Sequence, residues 1–223
     1  MFEGIKAVVF DIDGTLYPSW ALYVRMPGYF LRHISFYLKY NRVRKQLHKT
    51  APLADFYEYQ ARLFGFVSSK PADESKQIIR QICYDGLKPF FTKIKPFAHV
   101  YDCVLAMKNA GLKIGILSDF PPEQKGDIWG IRSLCDVCIG SEESGALKPS
   151  IYPFGILSKK LGVAPSEILY VGNSHKYDVL GANKAGMKSA CIQTGFRKLF
   201  GIKIPDADIS FKNYRQLQDI VLK

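Results

Sequence analysis

Residues 5–16 read IKAVVFDIDGTL, an apolar run that ends in two aspartates and continues into glycine and threonine. The run Ile5–Phe10 is short and rich in branched side chains, as expected for a strand buried on both faces of a parallel sheet. Residues two apart in an extended chain point to the same side, so Asp11 and Asp13 would project together from the end of this strand. Open α/β sheets bind ligands at that edge, which makes the pair a candidate site.

Apolar runs of the same kind return later in the chain, and helical patterns separate them. The runs are Lys113–Leu117, Asp136–Ile139, Ile168–Val171 and Ser189–Ile192, with a weaker one at Ala207–Ile209. Apolar residues at helical spacing precede Gly111, Gly162 and Gly186, and glycine commonly ends a helix. Strands that alternate with helices predict parallel βα units, so we expect an α/β fold with a doubly wound, Rossmann-like parallel sheet.

The first and second predicted strands are separated by about eighty residues, far more than the dozen or so that an α/β crossover needs. This interval contains apolar residues at helical spacing around Trp20, from Phe30 to Leu38, and again from Ile78 to Ile82. We therefore predict an inserted helical cap domain at residues 17–96. The core domain would consist of residues 1–16 and 97–223.

The two aspartates would repel each other at the end of one strand, and a divalent cation is the usual means of offsetting that cost. Gly14 would let the backbone turn sharply beside them. The alternative is that Asp11 and Asp13 only cap a turn. Three further segments favour a site, because each places polar groups at another predicted strand end.

Ser118 and Asp119 end the second run, where a hydroxyl or a backbone N–H can donate to a phosphate oxygen. Lys148 precedes a predicted helix start, and its charge could offset those of a carboxylate and a phosphate. Asn173 and Asp178 follow the fourth run and could complete the oxygen shell of a metal ion. Taken singly, each has a plainer explanation, as a turn residue, a surface lysine or an aspartate at a helix N-terminus.

In this order, the four segments resemble the motifs of the haloacid dehalogenase (HAD) superfamily, subfamily I with a helical cap. The resemblance implies that Asp11 attacks phosphorus to form a phosphoaspartate. It implies that Asp13 protonates the leaving oxygen and then activates water, a role that predicts a raised pKa for Asp13. True dehalogenases of the family lack an aspartate at the Asp13 position, so its presence favours phosphate chemistry.

The resemblance also assigns the remaining residues of the site. Lys148 would steady the nucleophile and the phosphate, and the substrate would be contacted by Ser118, Asp119, Gly14 and Thr15. A Mg²⁺ ion would be held by Asp11, by the backbone carbonyl of Asp13 and by Asn173 or Asp178. Most phosphatases of the family have aspartate where this chain has Asn173, which leaves open whether Asn173 or Asp178 is the direct ligand.

The predicted function is that of a Mg²⁺-dependent phosphatase acting on a small phosphorylated metabolite. A phosphomutase, which would return the phosphoryl group to the substrate, is an alternative. A second alternative is a weakly active or inactive HAD-like protein that binds an anion, a nucleic acid or a lipid.

The formal net charge is +11, and much of it lies where acidic residues are absent. No acidic residue occurs between Asp13 and Asp55, an interval that contains Arg25, Arg32, Lys39, Arg42, Arg44, Lys45 and Lys49. Such a field attracts phosphorylated metabolites, nucleic acid or an acidic membrane surface, although a solvated helix face would look the same. The aromatic and basic stretch Trp20–Lys45 could lie on a membrane, but a pair of cap helices is the favoured interpretation, with its charge turned towards an anionic substrate.

Other features narrow the class of protein. The five cysteines are odd in number and scattered, which argues against a disulfide framework, and the Cys135–Cys138 pair lacks further ligands for zinc. No apolar stretch approaches the ~20 residues of a membrane span. The residues Met1–Phe10 lack the layout of a signal peptide, so a cytoplasmic location is expected.

Overall fold

The structure is a computed structural model that describes residues 4–223, so the first three residues of the predicted core domain lie outside it. The strands are β1 (Ala7–Phe10), β2 (Lys113–Ser118), β3 (Val137–Gly140), β4 (Ile168–Gly172), β5 (Lys188–Ile192) and β6 (Ile209–Phe211). They form one parallel sheet in the order β3-β2-β1-β4-β5-β6. The predicted α/β fold is confirmed.

Helices connect the strands and build the insertion. They are α1 (Ser19–Tyr23), α2 (Pro27–Arg32), α3 (Ile34–Leu47), α4 (Phe56–Ser68), α5 (Ala72–Ile79), α6 (Lys88–Phe91), α7 (Val100–Asn109), α8 (Ile151–Leu161), α9 (Leu180–Lys184), α10 (Gly195–Phe200) and α11 (Tyr214–Leu222). Two π-helical turns, Arg80–Asp85 and His175–Val179, extend α5 and precede α9.

The central strand β1 shows why its sequence is apolar at every position. Val8 and Phe10 pack on the face covered by α7 and α11, whereas Ala7 and Val9 pack on the face covered by α8 and α9. All four side chains are fully buried. A strand covered on both faces leaves polar side chains only beyond its end, and there the chain continues with Asp11.

The limits of the predicted strands differ from the observed ones mainly at the edge of the sheet. The weakest run was expected at residues 207–209, but β6 starts at Ile209 and ends at Phe211. Ile209 and Phe211 are the side chains that reach the core, while Asp208 lies outside the strand and accepts a hydrogen bond from the backbone N–H of Ser189. Pairing with β5 therefore decides the register at this edge.

The helices α1 to α6 lie between β1 and β2 in the sequence, as the predicted cap does. Aromatic rings fill their interior: Phe36 stacks on Tyr40 with centroids 5.1 Å apart, and Phe64 lies 5.2 Å from Phe36. The apolar cluster around these rings continues without a break into the α7 side of the sheet. The division of the chain at residues 17 and 96 therefore stays a prediction.

Several apolar residues that predicted the cap helices point outwards. More than half of the side-chain surface is exposed at Trp20, Tyr23, Val24, Leu31 and Leu38. The helical spacing in the sequence was correct for the element, but the face that carries these residues is not packed. Among residues 4–223, no helix combines the length and the apolar character that crossing a bilayer requires.

Candidate active site

The ends of β1, β2 and β4 bring the predicted residues to one edge of the sheet. Asp11 follows β1 directly and donates its backbone N–H to the carbonyl of Val171, 2.9 Å away on β4. Ser118 is the last residue of β2, and Asn173 follows β4. Asp11 and Lys148, which are separated by more than a hundred residues in sequence, form a buried ion pair of 2.8 Å.

Lys148 is the centre of a buried charge cluster. Its Nζ donates to Asp11 Oδ1 at 2.8 Å, to Asp178 Oδ1 at 2.6 Å and to the Tyr170 hydroxyl at 3.1 Å. Tyr170 in turn donates to the carbonyl of Leu117 on β2, which fixes the position of its oxygen. Burial would lower the pKa of Lys148, but Asp11 and Asp178 raise it well above its ordinary value, so the ammonium remains charged.

Asp11 is held between this ammonium and a hydroxyl. Its Oδ2 accepts a hydrogen bond from Thr15 Oγ1 at 2.7 Å. Burial, together with the nearby Asp178 and Asp13 charges, raises the pKa of Asp11 to about 7 although Lys148 opposes the shift. A divalent cation on this carboxylate would favour its charged, nucleophilic form, because a bound metal outweighs the other local charges.

Asp13 has a different environment from the one its predicted role requires. Its Oδ1 accepts from the Tyr17 hydroxyl at 2.6 Å, and its Oδ2 lies 3.0 Å from Lys125 Nζ and 3.4 Å from Ser118 Oγ. Burial alone would raise the pKa of Asp13, but Lys125 and the Tyr17 hydrogen bond outweigh it, and the pKa is lowered. The prediction of a raised pKa for Asp13 is therefore wrong for the site without ligand, because Tyr17 and Lys125, which lie outside the motifs, stabilise the Asp13 carboxylate.

Replacing Lys125 tests this control of Asp13. In Lys125→Met we expect the pKa of Asp13 to rise, so that the limb of the pH–rate profile that reports Asp13 moves to higher pH. In the folded protein the pKa of Asp13 lies below its ordinary value of 3.8. The Asp13–Lys125 ion pair therefore stabilises the fold at pH values above 3.8, and this stabilisation is lost as the pH falls through the folded-state pKa. The stability deficit of the variant should therefore appear at neutral pH and shrink in acid.

The matched control for this experiment is Lys93→Met, which removes an exposed lysine from the chain segment that follows α6. Its pH–rate profile should match that of the wild type. An unmoved limb in Lys125→Met would mean that Lys125 supports the packing around Phe91 and Phe120 without controlling the charge of Asp13.

The oxygen atoms near Asp11 suit a hard cation. Asn173 Oδ1 lies 3.3 Å from the Thr15 hydroxyl that also bonds Asp11. Gly14 has a φ of +86°, and a Cβ there would lie 2.3 Å from Asn173 Nδ2, so only glycine allows this close approach. Asp178 is less available, because Lys148 binds one of its oxygens and the backbone N–H groups of Asn173 and Ser174 bind the other.

The residues 4–223 contain no cluster of three or more His, Cys, Asp or Glu side chains suited to a metal. Mg²⁺ does not need one, because it commonly keeps several waters and binds through one or two carboxylates and substrate phosphates. The side-chain oxygens of Asp11 and Asn173, which both contact the Thr15 hydroxyl, are of the type that such a sparse site needs.

The predicted substrate contacts divide into two groups. Asp119 lines the cavity in front of Asp11, and its Oδ1 also accepts the backbone N–H of Lys148 at 3.2 Å. Ser118 and Thr15 are fully buried behind that surface, and Gly14 lines a neighbouring cavity. In this arrangement Thr15 contacts Asp11, whereas Asp119 both faces the cavity and binds the Lys148 backbone.

The cavity in front of Asp11 has a volume of about 370 Å³ and is lined by charged side chains on one side and largely by apolar and aromatic ones elsewhere. The floor carries Asp11, Asp13 and Lys148, and the walls include Leu22, Tyr23, Leu87, Phe91, Phe120 and Tyr177. None of the seven basic residues in the acid-free interval lines it. The expectation that this charge faces an anionic substrate is therefore overturned.

One of those basic residues joins the cap to the core. Arg44 forms a buried ion pair with Glu142, and its guanidinium lies 4.4 Å above the ring of Phe120. Glu142 also accepts a hydrogen bond from the Tyr84 hydroxyl at 2.7 Å. Close by, His48 of the cap side bonds through Nδ1 to the carbonyl of Lys148 at 2.7 Å. These contacts hold the inserted helices over the cavity.

Sequence reasoning missed Tyr17, Lys125 and Tyr170, which contact Asp13 or Lys148. Lys125 carried no local signal, because its position relative to Asp13 depends on how the loop after β2 folds, whereas Tyr17 follows Asp13 by only four residues. Tyr170 offered a weak one: a tyrosine within an otherwise aliphatic buried strand needs a partner for its hydroxyl. That partner is the buried charge cluster.

Comparison with known proteins agrees with this geometry. The sequence model of the haloacid dehalogenase-like hydrolases matches residues 5–186. A glyceraldehyde 3-phosphate phosphatase of Methanopyrus kandleri is 28% identical over 228 residues, covering 97% of each chain. A phosphoglycolate phosphatase of Shigella boydii serotype 4 is 26% identical, covering 97% of this chain and 92% of the relative.

The fold also matches a solved structure over nearly its whole length. The crystal structure of a HAD phosphatase from Thermococcus onnurineus superposes with a TM-score of 0.63, at 22% identity, covering 97% of this chain and 98% of the other. At 22% identity, this superposition is evidence for the fold only.

Proposed function

The chain belongs to the haloacid dehalogenase-like hydrolases and is a hydrolase of phosphate monoesters, and we propose that it dephosphorylates a small metabolite with Mg²⁺ through an aspartyl-phosphate intermediate. The observation that carries this proposal is the buried Asp11–Lys148 pair at the floor of a cavity of substrate size. A carboxylate can attack a phosphate only where positive charge offsets their mutual repulsion, and Lys148 supplies such charge at the required atom.

The first chemical step joins Asp11 to phosphorus. One oxygen of the Asp11 carboxylate forms the new P–O bond as the ester P–O bond breaks. The leaving oxygen takes a proton from Asp13 and departs as an alcohol. Asp13 is ionised in the free site, but the negative charge of an incoming phosphate would raise its pKa and favour uptake of the proton that the step needs.

The second step regenerates the enzyme. Asp13, now ionised, accepts a proton from a water molecule, whose oxygen attacks phosphorus. The bond from phosphorus to Asp11 breaks, and inorganic phosphate leaves. In the free site Asp11 and Asp178 hold the pKa of Lys148 well above the ordinary value, and the Asp178 carboxylate still contacts Lys148 when Asp11 is bonded to phosphorus. When bound by Asp11, the Asp13 carbonyl and Asn173, Mg²⁺ would supply further charge to the transferring oxygens.

The walls of the cavity support a particular kind of substrate. Above the floor they are mainly apolar and aromatic, with Leu22, Leu87 and Phe91 among them. Lys148 is the positive side chain that lines the cavity. We therefore propose a monophosphate whose remaining part carries little charge, in preference to a bisphosphate or a nucleoside triphosphate. The names of the two relatives are consistent with small phosphorylated substrates.

Hydrolysis of an aryl phosphate, measured with Mg²⁺ and with a chelator, tests the reaction class. We expect turnover with Mg²⁺ and its loss with chelator, because the ion offsets charge at the transferring group. A panel of small monophosphates and bisphosphates then tests the substrate class, with monophosphates expected to react faster. Absence of turnover across the panel would contradict the phosphatase proposal, and transfer of phosphate between positions of a substrate would favour a phosphomutase.

The role of Asn173 can be tested by adding a charge. In Asn173→Asp we expect Mg²⁺ to bind about tenfold more tightly, because a carboxylate replaces a neutral amide oxygen among the ligands. The measurement is the Mg²⁺ concentration that half-activates hydrolysis, with Asn183→Asp, on the exposed surface of α9, as the control. A Mg²⁺ requirement that stays the same or weakens would show that Asn173 does not contact the ion.

A further inference from the structure

The cap exposes an apolar surface that lies mostly outside the catalytic cavity. Seven large apolar side chains are between 39% and 68% exposed, and we call them the cap patch: Trp20, Tyr23, Val24, Phe30, Leu31, Ile34 and Leu38. Phe30 stacks on Tyr37 with ring centroids 5.1 Å apart, which ties α2 to α3. Of the seven, Tyr23 also lines the catalytic cavity. Large apolar surfaces of this kind mark contact sites in soluble proteins.

Basic side chains accompany the cap patch without acidic ones. Residues 14–54 contain no Asp or Glu. Arg25, Arg32, Arg42 and Lys45 are exposed on α1 to α3 or in the turns between them. Since none of them lines the catalytic cavity, their charge is directed to solvent and not to a substrate.

A second segment repeats this combination of side chains. In α10 and just after it, Phe196, Leu199, Phe200 and Ile202 are between 43% and 76% exposed. The basic residues Arg197, Lys198 and Lys203 lie among them in sequence and are also exposed. Residues 179–205, like residues 14–54, contain no Asp or Glu.

Residues of α1 and α10 line a common cavity beside the catalytic site. A cavity of about 400 Å³ is lined by Ser19 and Trp20 from α1 and by Gly195 and Lys198 from α10. Asn173 and Ser19 line both this cavity and the catalytic one. Trp20 of the cap patch and Lys198 of α10, which are far apart in sequence, thus line one opening beside the catalytic cavity.

We propose that the cap patch and α10 together form a surface that docks this protein on an anionic lipid bilayer. Aromatic and aliphatic side chains enter the boundary between headgroups and acyl chains, while Lys and Arg pair with anionic headgroups. The apolar and basic side chains are interspersed along both segments, so a bilayer can contact both kinds at once. The contact is peripheral, since no helix within residues 4–223 is suited to span a bilayer.

Other binding partners would match either the apolar or the basic residues of this surface, but not both. A second copy packed symmetrically on the cap patch would bring Arg32 and Arg42 of both copies together without acidic partners. A nucleic acid would pair with the basic residues but would leave Leu31 and Leu38 without an apolar partner. Charge complementarity together with apolar burial therefore favours the anionic bilayer.

The test is co-flotation of the full chain with lipid vesicles. We expect binding to vesicles of phosphatidylcholine mixed with phosphatidylglycerol, little binding to phosphatidylcholine alone, and weaker binding as salt is raised. Arg32→Gln/Arg42→Gln should lower the partition coefficient roughly 30-fold, from the contribution of two charges near an anionic surface. Leu31→Ser/Leu38→Ser should lower it roughly tenfold or more, from lost apolar burial.

Matched control variants distinguish binding through this surface from nonspecific binding to vesicles. Lys159→Gln/Lys160→Gln removes two exposed charges from α8, and Phe66→Ser removes an apolar side chain that is 88% exposed on α4. Both controls should bind vesicles as the wild type does. All four variants lie outside the catalytic machinery and should keep wild-type hydrolysis of an aryl phosphate, so vesicle binding is tested independently of the proposed function.

Three results would overturn the proposal. The first is a wild-type chain that does not float with anionic vesicles. The second is vesicle binding that the patch variants leave unchanged. The third is evidence for a different occupant of the surface. Such evidence would be a wild-type dimer in light scattering that becomes a monomer in Leu31→Ser/Leu38→Ser, or duplex nucleic acid that binds the protein and displaces it from the vesicles.

Discussion

Asp11→Asn is expected to abolish hydrolysis, with a fall in kcat of at least about 10⁴-fold. Loss of a covalent nucleophile in other enzymes has effects of this order. The amide has the same shape as the carboxylate but cannot form the bond to phosphorus. Mass spectrometry of enzyme trapped during turnover should detect a phosphorylated Asp11 peptide in the wild type and none in the variant.

The stability of Asp11→Asn should stay close to that of the wild type. Burial raises the pKa of Asp11 to about 7, so ionised Asp11 is an unfavourable group in the chain alone, and Lys148 keeps Asp178 as a partner when Asp11 becomes neutral. Asp73→Asn, at an exposed position of α5, is the matched control and should retain full activity. Residual activity within tenfold of the wild type would exclude Asp11 as the nucleophile.

Lys148→Met should reduce both activity and stability. The substitution leaves the buried carboxylates of Asp11 and Asp178 without their shared cation, and loss of one partner from a buried ion pair typically costs about 3–5 kcal/mol of unfolding free energy. Phosphate hydrolysis should fall by at least about 10²-fold, because the charge that offsets the approach of phosphate to Asp11 is removed. Denaturant unfolding in the presence of chelator measures the stability without a contribution from bound metal.

Proton linkage gives the pH dependence of this deficit. The pKa of Asp11 is already raised to about 7 from its ordinary 3.8 with Lys148 in place, and removal of the lysine raises it further. The folded variant then binds a proton that the unfolded chain releases, so its stability rises as pH falls through the raised value. The difference from the wild type should shrink in acid, and an unchanged difference would argue that lost packing, not charge, is the cause.

A second substitution separates charge from packing. Lys148→Met/Asp178→Asn removes one of the two uncompensated carboxylates and should recover part of the lost stability at neutral pH. The control Lys159→Met, at an exposed position of α8, should unfold like the wild type. A double variant less stable than Lys148→Met would mean that the hydrogen bonds from the backbone N–H groups of Asn173 and Ser174 to Asp178 matter more than its charge.

The parts of the fold that were correctly predicted are those in which neighbours in sequence determine burial. The run before Asp11 is apolar at each of its last four positions because β1 is covered on both faces. The length between β1 and β2 predicted an insertion, because a crossover needs few residues. The edge strand β6 was misplaced by two residues because a short strand with one neighbour takes its register from that neighbour, and local composition is a poor guide there.

The site was predicted less evenly. Asp11 and Lys148 could be paired in advance because the four segments that contain them resemble the motifs of one known family. The charge state of Asp13 could not, since Lys125 lies far from it in sequence and approaches only through the turn after β2. The direction of the basic cap residues was equally hidden: Arg44 turns inwards to Glu142, whereas Arg32 and Arg42 face solvent.

The amino-acid sequence by itself determined which functional groups occur along the chain and in which order. After an apolar strand come a carboxylate pair, a hydroxyl, a lysine and an amide, each near the end of a strand or the start of a helix. These features are local, because strand burial and turn chemistry depend on adjacent residues. Only the tertiary structure decided the ionisation of Asp13, the contacts of Lys148 with Asp178 and Tyr170, and the exposure of the cap patch. Each of these depends on which distant groups lie within a few ångströms, and both electrostatic energy and burial are set by that distance and not by separation in sequence.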